Sequence, residues 1–280
     1  MGTREFVAPH SIDAVLEILA ESQCTIFAGG TDVYPSRVGK PEPNRVIDVS
    51  LVKSLRGITH VDSWWRIGAT TTWTDILQST LPLGFACLQQ AAKQIGAVQV
   101  QNSGTIAGNL CTASPAGDSI PALIALDAQV ELLSRNGMRC LSLQDFIVDY
   151  RKTALAKDEL VTSINIPDVA ATSLSAFEKF GTRAYLVISL VMVATSVRKD
   201  PTGNVVDLRI SVGACSPVAK RITKLEQRLL AERESGFKVH SIKVEDFSAL
   251  SPIDDIRCSA EYRLKLLPVL VERALERSGW

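Results

Sequence analysis

Up to Pro167 the chain alternates short strand-like segments with helical ones, whereas beyond it long β-branched runs come first and helices follow. One layered domain is not written in both patterns, so the change predicts two architectures in one chain. In the first part, Ser11 stands as a cap before Ile12, Val15, Leu16 and Leu19, which share one helical face. Strands are expected at 25–28 and 45–49, which makes the first sixty residues a small α/β unit. A second unit follows, with strands at 65–68, 129–134 and 159–166 and helices at 83–95 and 120–126. Residues 169–175 are small and polar and read as a linker. Past them, strands are expected within 185–197 and 205–212 and helices at 218–230 and 259–277, with Pro268 kinking or interrupting the last. The outline is two α/β lobes followed by an α+β domain with an antiparallel sheet.

The 280 residues suffice for about two domains at roughly 150 residues each, and 46% hydrophobic content supports a packed core. Lys+Arg and Asp+Glu number 30 each, so the formal charge is zero. That balance leaves no electrostatic footprint for nucleic acid or an anionic membrane. No apolar stretch approaches the roughly 20 residues of a bilayer span, and the opening MGTREFVAPHSIDAVLEIL lacks the succession of a signal peptide. A cytoplasmic protein is expected. The six cysteines (24, 87, 111, 140, 215 and 258) form no CxxC pair, and His10, His60 and His240 lie far apart without metal-ligand spacing. No metal site is expected in this chain, and any redox chemistry falls to something bound.

Two segments carry recognisable chemistry. Ala28-Gly29-Gly30-Thr31-Asp32 directly follows a strand, and its glycines permit positive φ and close backbone approach. Successive N–H groups in such a turn form an anion-binding nest; a tight strand-exit turn with an Asx-type Asp32 is the plainer reading. Ser103-Gly104-Thr105-Ile106-Ala107-Gly108-Asn109, with Thr112 to Asp118 after it, concentrates hydroxyls, an amide and small residues without a basic cluster. It suits phosphate oxygens, or else a polar loop capped by Asp118 before the helix at Ile120. GxGxxG, GxxxxGK[ST] and GxSxG are all missing from the sequence.

In this order the two segments resemble the FAD-binding subunit of the xanthine dehydrogenase family of molybdenum hydroxylases, including the carbon monoxide dehydrogenase flavoprotein. The matching text is FAGGTDVYP (27–35), RVIDVSLVKSLRGI (45–58), RIGATTTWTDI (66–76), IGAVQVQNSGTIAGNLCTASPAGDSIPALIALDA (95–128), DYRKTAL (149–155) and YRLKLLPVLVERAL (262–275). The resemblance implies an α+β fold, a two-lobed FAD-binding domain of the vanillyl-alcohol-oxidase-like (PCMH) type with lobes at 1–58 and 59–170. A C-terminal domain of the carbon monoxide dehydrogenase flavoprotein type is implied at 175–280. It also implies a role, in which electrons pass from a molybdenum-cofactor subunit through an iron–sulfur subunit to FAD on this chain, and on to NAD or another acceptor.

Residue by residue, the resemblance sets Ala28, Gly29, Gly30, Thr31, Asp32 and Val33 around the FAD pyrophosphate, with Ile26 and Phe27 leading in. Thr105, Gly108, Asn109, Cys111 and Thr112 face phosphate and ribitol, Asp118 the adenosine ribose, and Ile95 and Gly96 the adenine. Leu160 and Val161 pack on the flavin ring. Lys179 and Asp32 take catalytic places, Lys179 as a cation facing negative charge on the reduced ring. Tyr150 is implied near the nicotinamide approach. Two other readings stand beside this one: a stand-alone FAD oxidase or reductase acting on a small substrate, and a flavin-free scaffold subunit. An apolar partner surface is sought in Trp64-Trp65 and the C-terminal helix, for both of which core packing is the alternative.

Overall fold

A computed structural model describes residues 5–41, 43–233 and 242–280; His240 lies outside the described residues. The first unit holds β1 (Glu5–Val7), α1 (Ile12–Glu21), β2 (Thr25–Phe27) and β3 (Arg45–Asp48), with a parallel sheet in the order β1-β3-β2. Ser11 caps α1 as its position dictates, its Oγ accepting from Ala14 N at 3.3 Å, and Val15, Leu16 and Leu19 are buried.

The second unit opens with β4 (Ile58–Val61) and β5 (Trp64–Gly68). Five helices follow: α2 (Trp73–Gln78), α3 (Ala86–Gln94), α4 (Val98–Ser103), α5 (Ile106–Thr112) and α6 (Ser119–Ala125). Then come β6 (Gln129–Ser134), β7 (Gly137–Ser142), α7 (Leu143–Phe146), a small β8 (Ile147–Asp149) and β9 (Lys152–Thr153) ribbon, and β10 (Leu160–Pro167). The main sheet is antiparallel, ordered β4-β5-β10-β6-β7. The glycine-containing run 103–109, for which a polar loop is the alternative reading, contains the start of α5, because Thr105 caps it by accepting Gly108 N at 3.1 Å.

The expected linker at 169–175 is instead α8 (Asp168–Ala171) running into β11 (Leu174–Phe180). Tertiary contacts order it despite its small polar residues. Ser175 Oγ accepts from Cys87 N and donates to Gly84 O, and Asp168 Oδ1 binds both Trp65 Nε1 and His60 Nε2 at 3.0–3.1 Å. Trp65 also stacks on His60 and meets Phe85 edge-on, so core packing accounts for this half of the tryptophan pair.

The third sheet adds β12 (Val191–Lys199), β13 (Val205–Gly213) and β14 (Lys220–Arg221) in the antiparallel order β11-β12-β13-β14. Helices α9 (Thr223–Glu232) and α10 (Ala260–Arg277) cover it. Strand β12 is buried on both faces: Val191, Val193 and Val197 enter a core shared with α10, while Met192 and Ala194 enter the core of the first two units. That two-sided burial accounts for the apolar run Val191 to Ala194, without the alternation of a half-exposed strand. The run's earlier part is not strand, and Tyr185, Leu186 and Ile188 stand exposed. Helix α10 continues through Pro268 without interruption. The missing hydrogen bond is outweighed by Leu267, Leu270, Val271 and Ala274, all buried along the face against the sheet.

Candidate functional site between the first two units

A cavity of about 720 Å³ is lined from one side by the first unit and from the other by residues 69–161. The turn after β2 forms part of the first wall. Gly29 is required there by contact: a Cβ on it would lie 1.8 Å from the Ser103 carbonyl oxygen, so the turn rests backbone to backbone on the start of the second motif. Gly30 is required by conformation, with φ +69°. Among the described residues, the N–H groups of Gly29, Gly30 and Thr31 donate to no protein acceptor. Three adjacent unpaired amides on a cavity wall make a nest for an anionic oxygen.

The second wall is built differently. The first N–H groups of α5 are all taken within the chain, Ile106 N by Thr71 O, Ala107 N by Ala69 O and Gly108 N by Thr105 Oγ1. What this wall offers is side-chain chemistry: the hydroxyl proton of Thr105, and Asn109, whose Oδ1 accepts from Ser119 Oγ at 2.7 Å and so leaves Nδ2 for another partner; the Thr112 hydroxyl donates to Asp32 Oδ2. Cys111 opens into the cavity, yet it is set so deeply among protein atoms that burial pushes its thiol up to about 12. It is therefore a neutral wall group rather than a thiolate. Ile26, Ile95, Leu160 and Val161 supply apolar surface.

Asp32 lies at the rim, its Oδ2 3.4 Å from both Arg151 Nη1 and Thr112 Oγ1. Both members of the ion pair are 43% exposed, so the pair adds little to stability. Farther along, Glu159 is chelated by Arg139 Nε and Nη2 at 2.6 and 2.8 Å and accepts from Ala156 N at 2.8 Å. The Arg139 hydrogen bonds, with help from Ala156 N–H, hold this carboxyl below its usual range against burial. A depressed folded pKa adds stability above the unfolded value of about 4.3, and that stability is lost as pH falls through the folded value. Glu159→Gln is expected to lower unfolding free energy by about 1–3 kcal/mol at pH 7. The difference from the parent protein should fade as urea titrations move below pH 4.

Fifteen of the residues assigned from sequence line this cavity: Ile26, Ala28, Gly29, Gly30, Thr31, Asp32, Val33, Ile95, Thr105, Gly108, Asn109, Cys111, Thr112, Leu160 and Val161. Four do not. Phe27 turns its ring beneath Gly30, edge-on to Phe6 and Tyr34, and Gly96 packs on Val100. Asp118 and Lys179 are paired with each other in the interior, Nζ to Oδ2 2.7 Å, with side chains 7% and 6% exposed. Ser189 Oγ reaches the other Asp118 oxygen at 2.5 Å. Burial pushes the Asp118 carboxyl up, while Lys179 and Ser189 oppose the rise. Asp118 is thus not open to a ribose, and the charge of Lys179 is already matched rather than free to face a ring. Asp118 stands at the N-cap position of α6 but makes no side-chain cap bond there. Tyr150 is exposed and stays off the cavity wall, while its neighbour Arg151 is on it. Sequence reasoning missed Thr70, Trp73, Val100, Arg37, Arg151 and Lys157 on the walls. The signal available for Thr70 and Trp73 was the RIGATTTWTDI segment, which carried no role for individual residues.

Comparison with known proteins matches residues 2–169 to the FAD binding domain in molybdopterin dehydrogenase and residues 175–278 to the CO dehydrogenase flavoprotein C-terminal domain. The carbon monoxide dehydrogenase medium chain of Hydrogenophaga pseudoflava is 30% identical over 289 residues, covering 99% of this chain and 96% of that one. The nicotinate dehydrogenase FAD-subunit of Eubacterium barkeri is 36% identical over 207 residues, 71% of this chain and 70% of its own. A solved structure of the Hydrogenophaga pseudoflava carbon monoxide dehydrogenase superposes with a TM-score of 0.82 at 28% identity, covering 99% and 97% of the two chains.

Proposed function

We infer, for a chain that belongs to the FAD-binding family of the molybdopterin dehydrogenases, that the cavity between its first two units is where FAD is held. The chain is the FAD-binding subunit of a multi-subunit molybdenum hydroxylase, an oxidoreductase. The observation that carries the site assignment is the run of unpaired amides at Gly29, Gly30 and Thr31, in a turn where a side chain on Gly29 would collide with backbone. That donor set fits a pyrophosphate, and Thr105 and Asn109 extend it with neutral donors suited to ribitol and phosphate oxygens. Ile26, Ile95, Leu160 and Val161 provide apolar walls for ring systems.

Bound FAD supplies the two-electron carrier that links one-electron iron–sulfur donors to a two-electron acceptor. We assign the molybdenum cofactor and the iron–sulfur clusters to partner subunits. Support comes from the match to the FAD binding domain in molybdopterin dehydrogenase and from the likeness to a carbon monoxide dehydrogenase medium chain over nearly the whole length. NAD is the proposed acceptor, supported by the likeness of DYRKT (149–153) to the xanthine dehydrogenase branch. A cytoplasmic location is part of the same proposal. No helix among the described residues is long and apolar enough to cross a membrane. The chain's own residues bind and orient the cofactor. In this proposal Asp32 and Arg151 stand at the rim, and the buried Asp118–Lys179 pair braces α6 against β11 rather than meeting the cofactor.

The test is a visible absorbance spectrum of the purified chain, with the chromophore released by acid and identified. A flavin spectrum yielding FAD is the expected result. A colourless protein that takes up no added FAD would overturn the assignment and leave the scaffold reading.

A further inference from the structure

Four threonines gather where β5 meets α5, and the hydroxyl oxygens of three already have a partner within the chain. Thr71 Oγ1 bonds both the N–H and the carbonyl of Gly57, Thr72 Oγ1 accepts from Asp75 N, and Thr105 Oγ1 accepts from Gly108 N. Thr70 is different. Its residue is 5% exposed, it lies on the cavity wall, and its Oγ1 is buried without a hydrogen-bond partner among the described residues. A buried hydroxyl left unpaired is unfavourable and calls for a partner that the protein itself does not supply.

The backbone around Thr70 is firmly held. Its N–H donates to Leu55 O at 2.8 Å, and the flanking carbonyls of Ala69 and Thr71 accept from Ala107 N and Ile106 N. The segment is thus fastened to the first turn of α5, on the second wall, while the glycine turn with its unpaired amides forms part of the first. The residue lines the cavity, and a threonine side chain has staggered χ1 positions from which its hydroxyl can seek a partner. We propose that Thr70 is an FAD-binding residue, its hydroxyl donating to an oxygen of the cofactor's phosphate–sugar backbone. This rests on the assignment of the cavity to FAD.

The experiment measures FAD affinity by fluorescence titration of the apo chain for the parent, Thr70→Val and Thr70→Ser. Far-UV circular dichroism and apo melting temperature check the fold of each. Thr70→Val replaces the hydroxyl by a methyl group of similar size and is expected to weaken FAD binding about tenfold, equivalent to about 1.4 kcal/mol. Thr70→Ser should stay within about twofold, and the FAD-induced rise in melting temperature should follow the same order. Equal affinity in the parent and Thr70→Val would overturn the proposal, as would equal weakening in both variants. If Thr70→Val does not fold, Thr70→Ala against Thr70→Ser makes the same comparison. A parent chain that binds no FAD fails the cavity assignment itself, an outcome visible before any variant is made.

Discussion

Gly29→Ala is expected to abolish retention of FAD, although the substitution adds one methyl group. That methyl would sit 1.8 Å from the Ser103 carbonyl oxygen and 2.5 Å from its carbon. Both neighbours are backbone, so no rotamer change relieves the overlap, and the turn after β2 must move away from α4 and α5. The motion separates the unpaired amides of residues 29–31 from Thr105 and Asn109, the two donor sets assigned to FAD. A loss of at least 100-fold in affinity, about 2.7 kcal/mol, is expected, seen as absence of flavin absorbance after purification and no uptake in titration. Gly39→Ala is the control. Gly39 has φ +75° but nothing within 4 Å of where a Cβ would stand, so its strain of about 1–2 kcal/mol should appear in stability and leave FAD affinity unchanged. Normal flavin content in Gly29→Ala would show that the two segments do not hold the cofactor jointly.

The second large effect concerns stability. Lys179→Met leaves the Asp118 carboxylate buried with Ser189 as its remaining side-chain partner. Removing one member of a buried pair typically costs about 3–5 kcal/mol, because the other charge loses its compensation. Burial already pushes the Asp118 carboxyl up, and losing Lys179 removes the strongest opposing influence. For a group whose folded pKa exceeds its unfolded value, stability is fully present below the unfolded pKa and declines as pH rises through the folded one. The deficit of Lys179→Met in denaturant titrations should therefore grow from pH 4 upward. The double variant Asp118→Asn with Lys179→Met should recover much of it, since no buried charge remains. A pH-independent deficit, or no recovery in the double variant, would contradict a buried ion pair as the cause.

These two positions differ in how far sequence could reach them. The glycine turn was legible because its chemistry is local: two adjacent glycines leaving a strand announce an unusual backbone whatever surrounds it. The helical cap at Ser11 and the face of Val15, Leu16 and Leu19 were legible for the same reason. Pro268 was misleading because a local rule met a helix already held by its packed face. The segment at 169–175 was misleading because its order comes from Gly84, Cys87, His60 and Trp65, none of them near in sequence.

By itself, then, the sequence determined the kinds of element, the two donor-rich segments and the likeness of nearly the whole chain to one family, all of which depend on near neighbours or motif order. Only the tertiary structure decided that Gly29 meets Ser103, that Thr70 stands on the cavity wall with an unpaired hydroxyl, and that Asp118 belongs to Lys179 rather than to a ligand. A side chain's chemistry is set by its type, but its partners are set by burial. Residues far apart in the chain meet only when the core closes, and whether a carboxylate is free or matched is fixed at that moment.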